Sequence, residues 1–527
     1  MITGKNYIGA AQSATGSKTY KTFDPKLNLE TEWTFTEATA EEIDNAVSEA
    51  SSAFKLYSAT SATEKANFLR VIAQEIEALG DTLIQTYMKE SGLPEGRAKG
   101  ERGRTMGQLN AFAALLEEGS WVDATIDTAQ PNREPMPKVD LRKMLVPIGP
   151  IVVFGSSNFP FAFSTAGGDT ASALAAGCPV IVKSHPMHAA TGEMVASAVL
   201  RAVEKSGMPN GVFSNLNSSG IEVGQQLVMH PKVKGVGFTG SIKGGTALYR
   251  LANQRDEPIP VFAEMGSINP VIALPSALTE KGDDWAKNYA GSITLGAGQF
   301  CTNPGLILGI KSSSLDNFIK VLGTSIEELE PFCMLHPNIY NGFENGKKEL
   351  SSQGGVDVVA EYSAEAAPNY AKQKVLTVNG ANFLKNTKLH QEVFGPFSVV
   401  VRCEDATQLA EIIEKLEGQL TGTILGSKEE ISSHSAIVTA LQGRVGRIIF
   451  NGVPTGVEVC PSMHHGGPFP ASTDSRFTSV GTSAIKRWVR PVAFQNWPQE
   501  ALPAALKNDN PLGINRLVDS KFTYDKI

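Results

Sequence analysis

Cys301 lies in Gly298-Gln299-Phe300-Cys301-Thr302-Asn303-Pro304-Gly305. Glycines on both sides and a Pro-Gly turn the chain sharply there. Backbone N–H groups gathered at such a turn lower a thiol pKa and stabilise an oxyanion, so Cys301 is a candidate nucleophile. The plainer reading of any single cysteine is a buried structural one. Cys178, in an Ala-Gly-Cys-Pro-Val packing run, Cys333 and Cys403 take that reading; Cys460 sits apart, in a loop rich in His, Gly and Pro.

A nucleophile needs partners. Glu264 ends the apolar run Pro260–Ala263, and a carboxylate there is costly unless it stands at a strand mouth or has a task. Asn158, in Phe154-Gly155-Ser156-Ser157-Asn158-Phe159-Pro160, offers an amide that donates to developing negative charge. Their plain alternatives are a cap or ion-pair glutamate and a turn asparagine. Lys183 follows the strand Val180–Val182, a natural place for a hydroxyl or phosphate contact. Phe238-Thr239-Gly240-Ser241 reads as strand, turn and helix start, and helix N-termini bind phosphate. It is not a G-x-G-x-x-G fingerprint. His464-His465 precede Gly466-Gly467-Pro468; with no third ligand nearby in sequence, loop hydrogen bonding is favoured over a metal. Arg97, Arg102 and Arg104 lie on one helical stretch that is either a solvated face or a clamp for a substrate carboxylate. Arginines two residues apart do not share a face, so at most one of Arg102 and Arg104 points inward.

The chain pattern supplies the framework for these groups. Residues 39–56 read as an amphipathic helix opened by a Thr39/Glu42 capping box, with Ile43, Val47, Ala50 and Phe54 at helical spacing. Helical patterns follow at 62–79, 81–90 and 98–116. The polar stretch 119–145 reads as a hairpin or excursion. From Ile151, strands at 151–154, 179–182, 211–216, 233–238 and 259–264 alternate with helices at 165–177, 189–206, 221–229 and from Ser241, the spacing of a parallel α/β sheet. Residues 269–274 make a separate strand. The pattern resumes from 283 to about 450 in longer irregular pieces, 489–494 reads as a late strand, and the tail 495–527 is expected to pack on a surface, its own or a partner's.

The 527 residues, 42% apolar and 19% charged, exclude disorder as the main state. They suit about three domains, or two large ones. A net charge of −7 argues against bulk nucleic-acid binding. Five cysteines with no C-x-x-C fit free thiols in a reducing compartment, hence a cytoplasmic protein. The opening MITGKNYIGAAQ does not read as a secretory signal, and no membrane span is expected.

Together these residues resemble the NAD(P)-dependent aldehyde dehydrogenase superfamily. The likeness runs in chain order through Gly155-Ser-Ser-Asn158-Phe-Pro, Ala176-Gly-Cys-Pro-Val-Ile-Val-Lys183, Gly237-Phe-Thr-Gly-Ser241, Ala263-Glu264-Met-Gly266, Gly298-Gln-Phe-Cys301-Thr-Asn-Pro and Gln391-Glu392-Val-Phe394-Gly-Pro396. The resemblance implies an α/β fold: a Rossmann-like cofactor domain (1–124 and 148–264), an α/β catalytic domain (265–488), and a small oligomerisation arm with a tail (125–147 and 489–527), assembled as a homodimer or homotetramer. It implies Cys301 as nucleophile, Asn158 with the Cys301 N–H as oxyanion hole, and Glu264 as base for deacylation. Lys183 would hold the adenosine ribose, Gly240 and Ser241 the pyrophosphate, and Glu392 the nicotinamide ribose, with Phe394 beside the nicotinamide.

Several positions depart from the common pattern. Ser157 replaces the usual tryptophan, and His185 replaces the glutamate of NAD-preferring members, which would repel a ribose 2′-phosphate. NADP is therefore expected, with NAD admitted. Gly466-Gly467-Pro468-Phe469-Pro470 and Val480 replace a loop and a second glutamate common elsewhere. As a set, the departures are similar to the 2-oxoglutarate semialdehyde (2,5-dioxopentanoate) dehydrogenase branch. Its substrate carries a distal carboxylate, for which Arg104 and Arg476 are the candidate anchors. The rivals are an NADP-dependent dehydrogenase of aliphatic or long-chain fatty aldehydes, with a pocket mouth of Phe159, Phe163 and Phe469, and a catalytically silent structural member of the fold.

Overall fold

The computed structural model describes residues 2–527. Short, largely buried runs, β-branched at Ile151–Phe154 and Val180–Lys183, form the parallel sheet that the sequence predicts. Its parallel strands are Ile151–Phe154, Val180–Lys183, Phe213–Leu216, Gly235–Thr239 and Val261–Glu264. In space the order is Val261–Glu264, Gly235–Thr239, Ile151–Phe154, Val180–Lys183 and Phe213–Leu216, extended by antiparallel Asn6–Ile8 and Ala11–Ser13. The chain winds outward from Ile151–Phe154 in one direction and then in the other. The order therefore reverses between Ile151–Phe154 and Gly235–Thr239, and ligands of open α/β sheets bind outside the strand ends at such a point. Register fixes what gathers there. Phe154 pairs with Lys183 and Phe238, and Thr239 with Glu264. Lys183, Glu264 and the loop carrying Asn158 thus leave the sheet along one edge.

Four helices, Ala40–Tyr57, Ala62–Glu77, Gly80–Ser91 and Glu95–Glu118, precede the parallel strands. The Thr39/Glu42 capping box forms: Thr39 N donates to Glu42 Oε2 at 2.8 Å and Glu42 N to Thr39 Oγ1 at 3.2 Å. A second box joins Ser61 and Glu64, and a cap of this kind is worth about 1 kcal/mol. The fourth helix, Glu95–Glu118, is capped by Pro94 and by Gly119, where φ is +80°. It is longer than 98–116 because Gly96, Gly100, Gly103 and Gly107 dilute the apolar periodicity that would mark its ends. The antiparallel hairpin Thr19–Asp24 and Leu29–Thr36 went unread in the sequence, its strands being largely polar.

A second seven-stranded sheet spans the region read as irregular. Its order is Val356–Glu361, Lys374–Asn379, Phe397–Cys403, Leu306–Ile310, Val271–Ala273, Gln419–Leu425 and Val445–Phe450, parallel except for the first strand. Apolar clusters cover both of its faces. A smaller five-stranded sheet joins Val489–Gln495, Leu141–Pro147, Thr125–Asp127, Arg516–Val518 and Lys521–Thr523. The tail contributes Leu502, Leu506 and Ile514 to its small core. Among the described residues, no helix is long and apolar enough to cross a membrane.

Candidate active site

Two cavities meet at Cys301. The first, about 380 Å³, is lined by Asn158, Gly240, Ser241, Glu264, Glu392 and Phe394 together with Cys301. The second, about 410 Å³, is lined by Arg97, Arg104, Phe159, Phe163, Phe300 and Cys301. The residues that the sequence reading assigned to a nicotinamide thus fall on one side of the sulfur, and three of the five assigned to a substrate, Arg104, Phe159 and Phe163, on the other.

Left-handed backbone builds the cysteine loop. After the helix Pro275–Thr294, φ is +57° at Gly296 and Ala297 and +64° at Gly298. A Cβ on Gly298 would lie 2.2 Å from the Gly395 carbonyl, so only glycine permits this approach. Asn269, itself at φ +47°, clamps the far side. Its Nδ2 donates to the carbonyls of Cys301 and Asn303, each at 2.9 Å. Asn158 Nδ2 donates to Gln299 O at 3.0 Å, which holds the amide against the same loop.

Glu264 is buried, with 3% of its surface exposed. Ser479 Oγ donates to its Oε2 at 2.5 Å, and His465 Nε2 stands 3.0 Å from its Oε1. That nitrogen also lies 3.4 Å from Cys301 Sγ and is directed at the sulfur, leaving Oε1 without an aligned hydrogen bond. Burial alone would raise the carboxyl. His465, Ser479 and Cys301 outweigh it and hold Glu264 below the ordinary carboxylate range. Burial, and then the adjacent Glu264, push the Cys301 thiol well up, while Arg104 draws it down. An ionised carboxylate beside a neutral thiol is an arrangement that can pair a base with a nucleophile.

His465 corrects the sequence reading, which assigned the His464-His465 pair to loop hydrogen bonding. Its backbone does bond within the loop, N to Thr478 Oγ1 and O from Ser479 N. Its ring, however, enters the reactive cluster.

Glu392 accepts from Ser267 N at 3.4 Å, and burial raises its carboxyl to about 7. A Cβ on Gly266 would fall 2.3 Å from its Oε2, so this glycine makes room for the carboxylate. Ser241 caps the helix Ile242–Ala252, accepting from Gly244 N at 3.1 Å. Ser156 Oγ, in the wall of the first cavity, is buried without a protein partner. A helix N-terminus, an unpaired hydroxyl and a carboxylate able to donate or accept fit a dinucleotide. Lys183 and His185 lie further along the same sheet edge, outside both cavities. Burial brings Lys183 to about 8 against the pull of Glu37. Burial, then His188, Lys183 and His336, hold His185 well below its ordinary value, so its ring is neutral.

In the second cavity Arg97 and Arg104, seven residues apart, share a helix face. Arg102 points away, donating to Gly80 O at 3.3 Å. Arg97 is engaged: it stacks over Phe159 and Phe300 and pairs with Glu101 at 3.4 Å. Glu101 is itself fixed by Tyr87 Oη at 2.6 Å and by the N–H groups of Phe161 and Ala162 at 2.8 and 2.9 Å. Arg104 lies over Phe163, and its Nη1 is buried without a partner. Arg476 is not brought to the cavity. It is on the surface, paired with Asp474 at 2.5 Å, a partner two residues away that captures the side chain locally. Phe469 is 60% exposed and lines neither cavity.

Residues 12–469 match the Aldehyde dehydrogenase family. Over 521 residues the chain is 46% identical to alpha-ketoglutaric semialdehyde dehydrogenase 2 of Azospirillum brasilense, covering 99% of each protein. Over 523 residues it is 44% identical to alpha-ketoglutaric semialdehyde dehydrogenase of Acinetobacter baylyi, again 99% of each. Betaine aldehyde dehydrogenase of Staphylococcus aureus, solved in complex with NAD+, superposes with a TM-score of 0.80 at 19% identity, over 94% of this chain and 96% of that one. A 1-pyrroline-5-carboxylate dehydrogenase gives 0.78 at 22% identity, over 93% and 92%. These last likenesses speak for the fold, and the full-length sequence matches for descent: the chain belongs to the aldehyde dehydrogenase family.

Proposed function

We propose that the protein oxidises 2-oxoglutarate semialdehyde, the aldehyde named in its two full-length relatives, to 2-oxoglutarate, with NADP preferred and NAD accepted. The observation that carries this reading is the buried, unpaired Arg104 in the cavity that ends at Cys301. A short aldehyde with a distal carboxylate would meet the sulfur at one end and the guanidinium at the other.

Cys301 attacks the aldehyde carbon as the thiolate, its proton having left to solvent. Asn158 Nδ2 and the Cys301 N–H then hold the oxyanion. The first cavity would hold a nicotinamide dinucleotide, which would supply the hydride acceptor for oxidation of the hemithioacetal to the thioester. Glu264 takes a proton from water, whose attack frees the acid and the thiol. Ser241 and Gly240 would hold the pyrophosphate and Glu392 the ribose next to the nicotinamide. Residues 1–124 and 148–264 would bind the cofactor, 265–488 carry the nucleophile, and 125–147 with 489–527 serve assembly as a homodimer or homotetramer. Five unpaired thiols support a cytoplasmic setting.

A steady-state panel of aldehydes tests the substrate. The acidic semialdehyde is expected to be preferred over hexanal and decanal; equal efficiency would sink the assignment in favour of aliphatic aldehydes, which the walls of Phe159 and Phe163 would also suit. Arg104→Gln should lower kcat/KM for the semialdehyde by on the order of 100-fold, the size of losing a buried charge-assisted contact of about 2–4 kcal/mol. Its effect on hexanal should be much smaller.

At the adenosine end, a neutral His185 tolerates a 2′-phosphate rather than attracting it, Lys183 carries the charge, and Glu37 beside Lys183 moderates the preference. His185→Glu should raise KM for NADP by on the order of 10-fold or more through like-charge repulsion, with little change for NAD. An unchanged KM for NADP would remove His185 from the discrimination.

A further inference from the structure

We infer that Cys301, His465 and Glu264 form a binding site for a thiophilic divalent cation, Zn2+ above all, whose occupation silences the enzyme. Among the described residues this is the one group of three metal-ligand side chains whose donor atoms all lie within 4.8 Å of one another. The ligand types are those of zinc: a thiolate, an imidazole and a carboxylate.

The distances already suit the ion. Zinc bonds of about 2.3 Å to sulfur and about 2.0–2.2 Å to nitrogen and oxygen, at tetrahedral angles, place S and N about 3.6 Å apart and N and O about 3.4 Å apart. Here Sγ···Nε2 is 3.4 Å and Nε2···Oε1 is 3.0 Å, each within a few tenths of an ångström of those spacings, and the sulfur and the carboxylate lie within 4.8 Å of each other. The donor that a cation would use is free: Glu264 Oε1 is buried with no hydrogen-bond partner, while Oε2 stays on Ser479. Asn158 and Ser479 hold the surrounding loops, so the site is preorganised.

Charge balances as well. As the Zn–S bond forms, the thiol proton leaves to solvent. A thiolate, a carboxylate and a neutral imidazole around Zn2+ then sum to zero in a buried place, where an uncompensated charge is costly. Three protein ligands leave a fourth position open to the cavities for water. The sulfur lone pair that would attack an aldehyde is held by the metal, and so is the carboxylate that would activate water. The inhibition rests on the proposed roles of Cys301 and Glu264; the binding does not.

Cobalt gives a direct readout. Reduced, chelator-treated full-length protein without cofactor, titrated with Co2+, should develop a thiolate-to-cobalt charge-transfer band and intense tetrahedral visible bands, saturating at one ion per chain. Zn2+ should displace the cobalt. Dehydrogenase activity should fall in parallel with zinc occupancy and return on adding chelator. Cys301→Ser, or prior alkylation of Cys301, should abolish the charge-transfer band. His465→Gln should weaken zinc binding by more than the about 10–100-fold typical of losing only an outer partner of a ligand. Cys460→Ser, which removes the other partly exposed thiol, should change nothing. Thermal melting of each metal-free variant separates lost binding from lost folding. A band that survives in Cys301→Ser, a band lost in Cys460→Ser, or no band in the native protein would each overturn the site. A protein that forms the band but does not oxidise the semialdehyde leaves the metal site standing and removes the proposed substrate. One that oxidises the semialdehyde without forming the band does the reverse.

Discussion

Cys301→Ser is expected to lower kcat/KM by about 10⁴–10⁶-fold with every aldehyde, the scale of removing a covalent nucleophile while leaving the rest of a site intact. A serine hydroxyl fills nearly the same space but is a far weaker acid, and the Glu264 carboxylate beside it is too weak a base to ionise it. The surrounding supports do not depend on the sulfur. The left-handed turn at residues 296–298, the Asn269 clamp on the Cys301 carbonyl and the Asn158 contact to Gln299 are backbone or amide interactions. The variant should therefore melt near the native temperature and bind dinucleotide with native affinity, measured by quenching of protein fluorescence. The loss would then lie in the chemical step. Normal dehydrogenase activity in this variant would end the mechanism proposed for Cys301.

What the sequence makes legible follows distance along the chain. Cys301, Glu264 and Asn158 each carry a local mark: a glycine-bracketed turn, a carboxylate closing an apolar run, an asparagine in the loop after a buried strand. His465 has none that points to the site. It reaches Cys301 across 164 residues of sequence, and Ser479 reaches Glu264 across 215. Only the packing of the Gly466–Ser472 loop against the Val261–Glu264 strand, with Met265 N donating to Ala471 O at 2.8 Å, brings them in. Asn269 escaped notice for a related reason. In the sequence it reads only as the start of the strand 269–274, which begins at Val271, and its partners lie on a different strand connection. Arg97 was recognised only as one of three arginines, whereas its helix face decides that it lines the pocket and that Glu101 occupies it. The same contrast holds for the fold. The capped helices and the Ile151–Glu264 strands carry strong periodicity. The Thr19–Thr36 hairpin buries one face, but Thr22, Asp24 and Thr31 stand on it beside Phe35 and so hide its apolar alternation, and the second sheet is interrupted by long connections that blur its period.

Glu264→Gln gives the second large effect and the sharper test of how the residues are coupled. Steady-state kcat is expected to fall by about 10²–10⁴-fold, the usual contribution of a general base. A burst of one reduced cofactor per active site should remain, because acylation of Cys301 precedes the step that requires water activation. The amide keeps the shape and the Ser479 contact, so folding should be spared. It also removes a charge. The native thiol is pushed well up by burial and then by the Glu264 carboxylate, so its thiolate population, and with it the rate of iodoacetamide alkylation, rises only on the alkaline side of neutrality. Without that carboxylate the alkylation profile should move to lower pH, and alkylation at neutral pH should quicken even as turnover collapses. Arg104→Gln, which removes a charge of the opposite sign from the same sulfur, should move the profile to higher pH. Two substitutions that both impair turnover but shift one thiol in opposite directions separate electrostatic control of Cys301 from a general loosening of the site. Shifts in the same direction would break the assignment of Glu264 and Arg104 as the charges that set it.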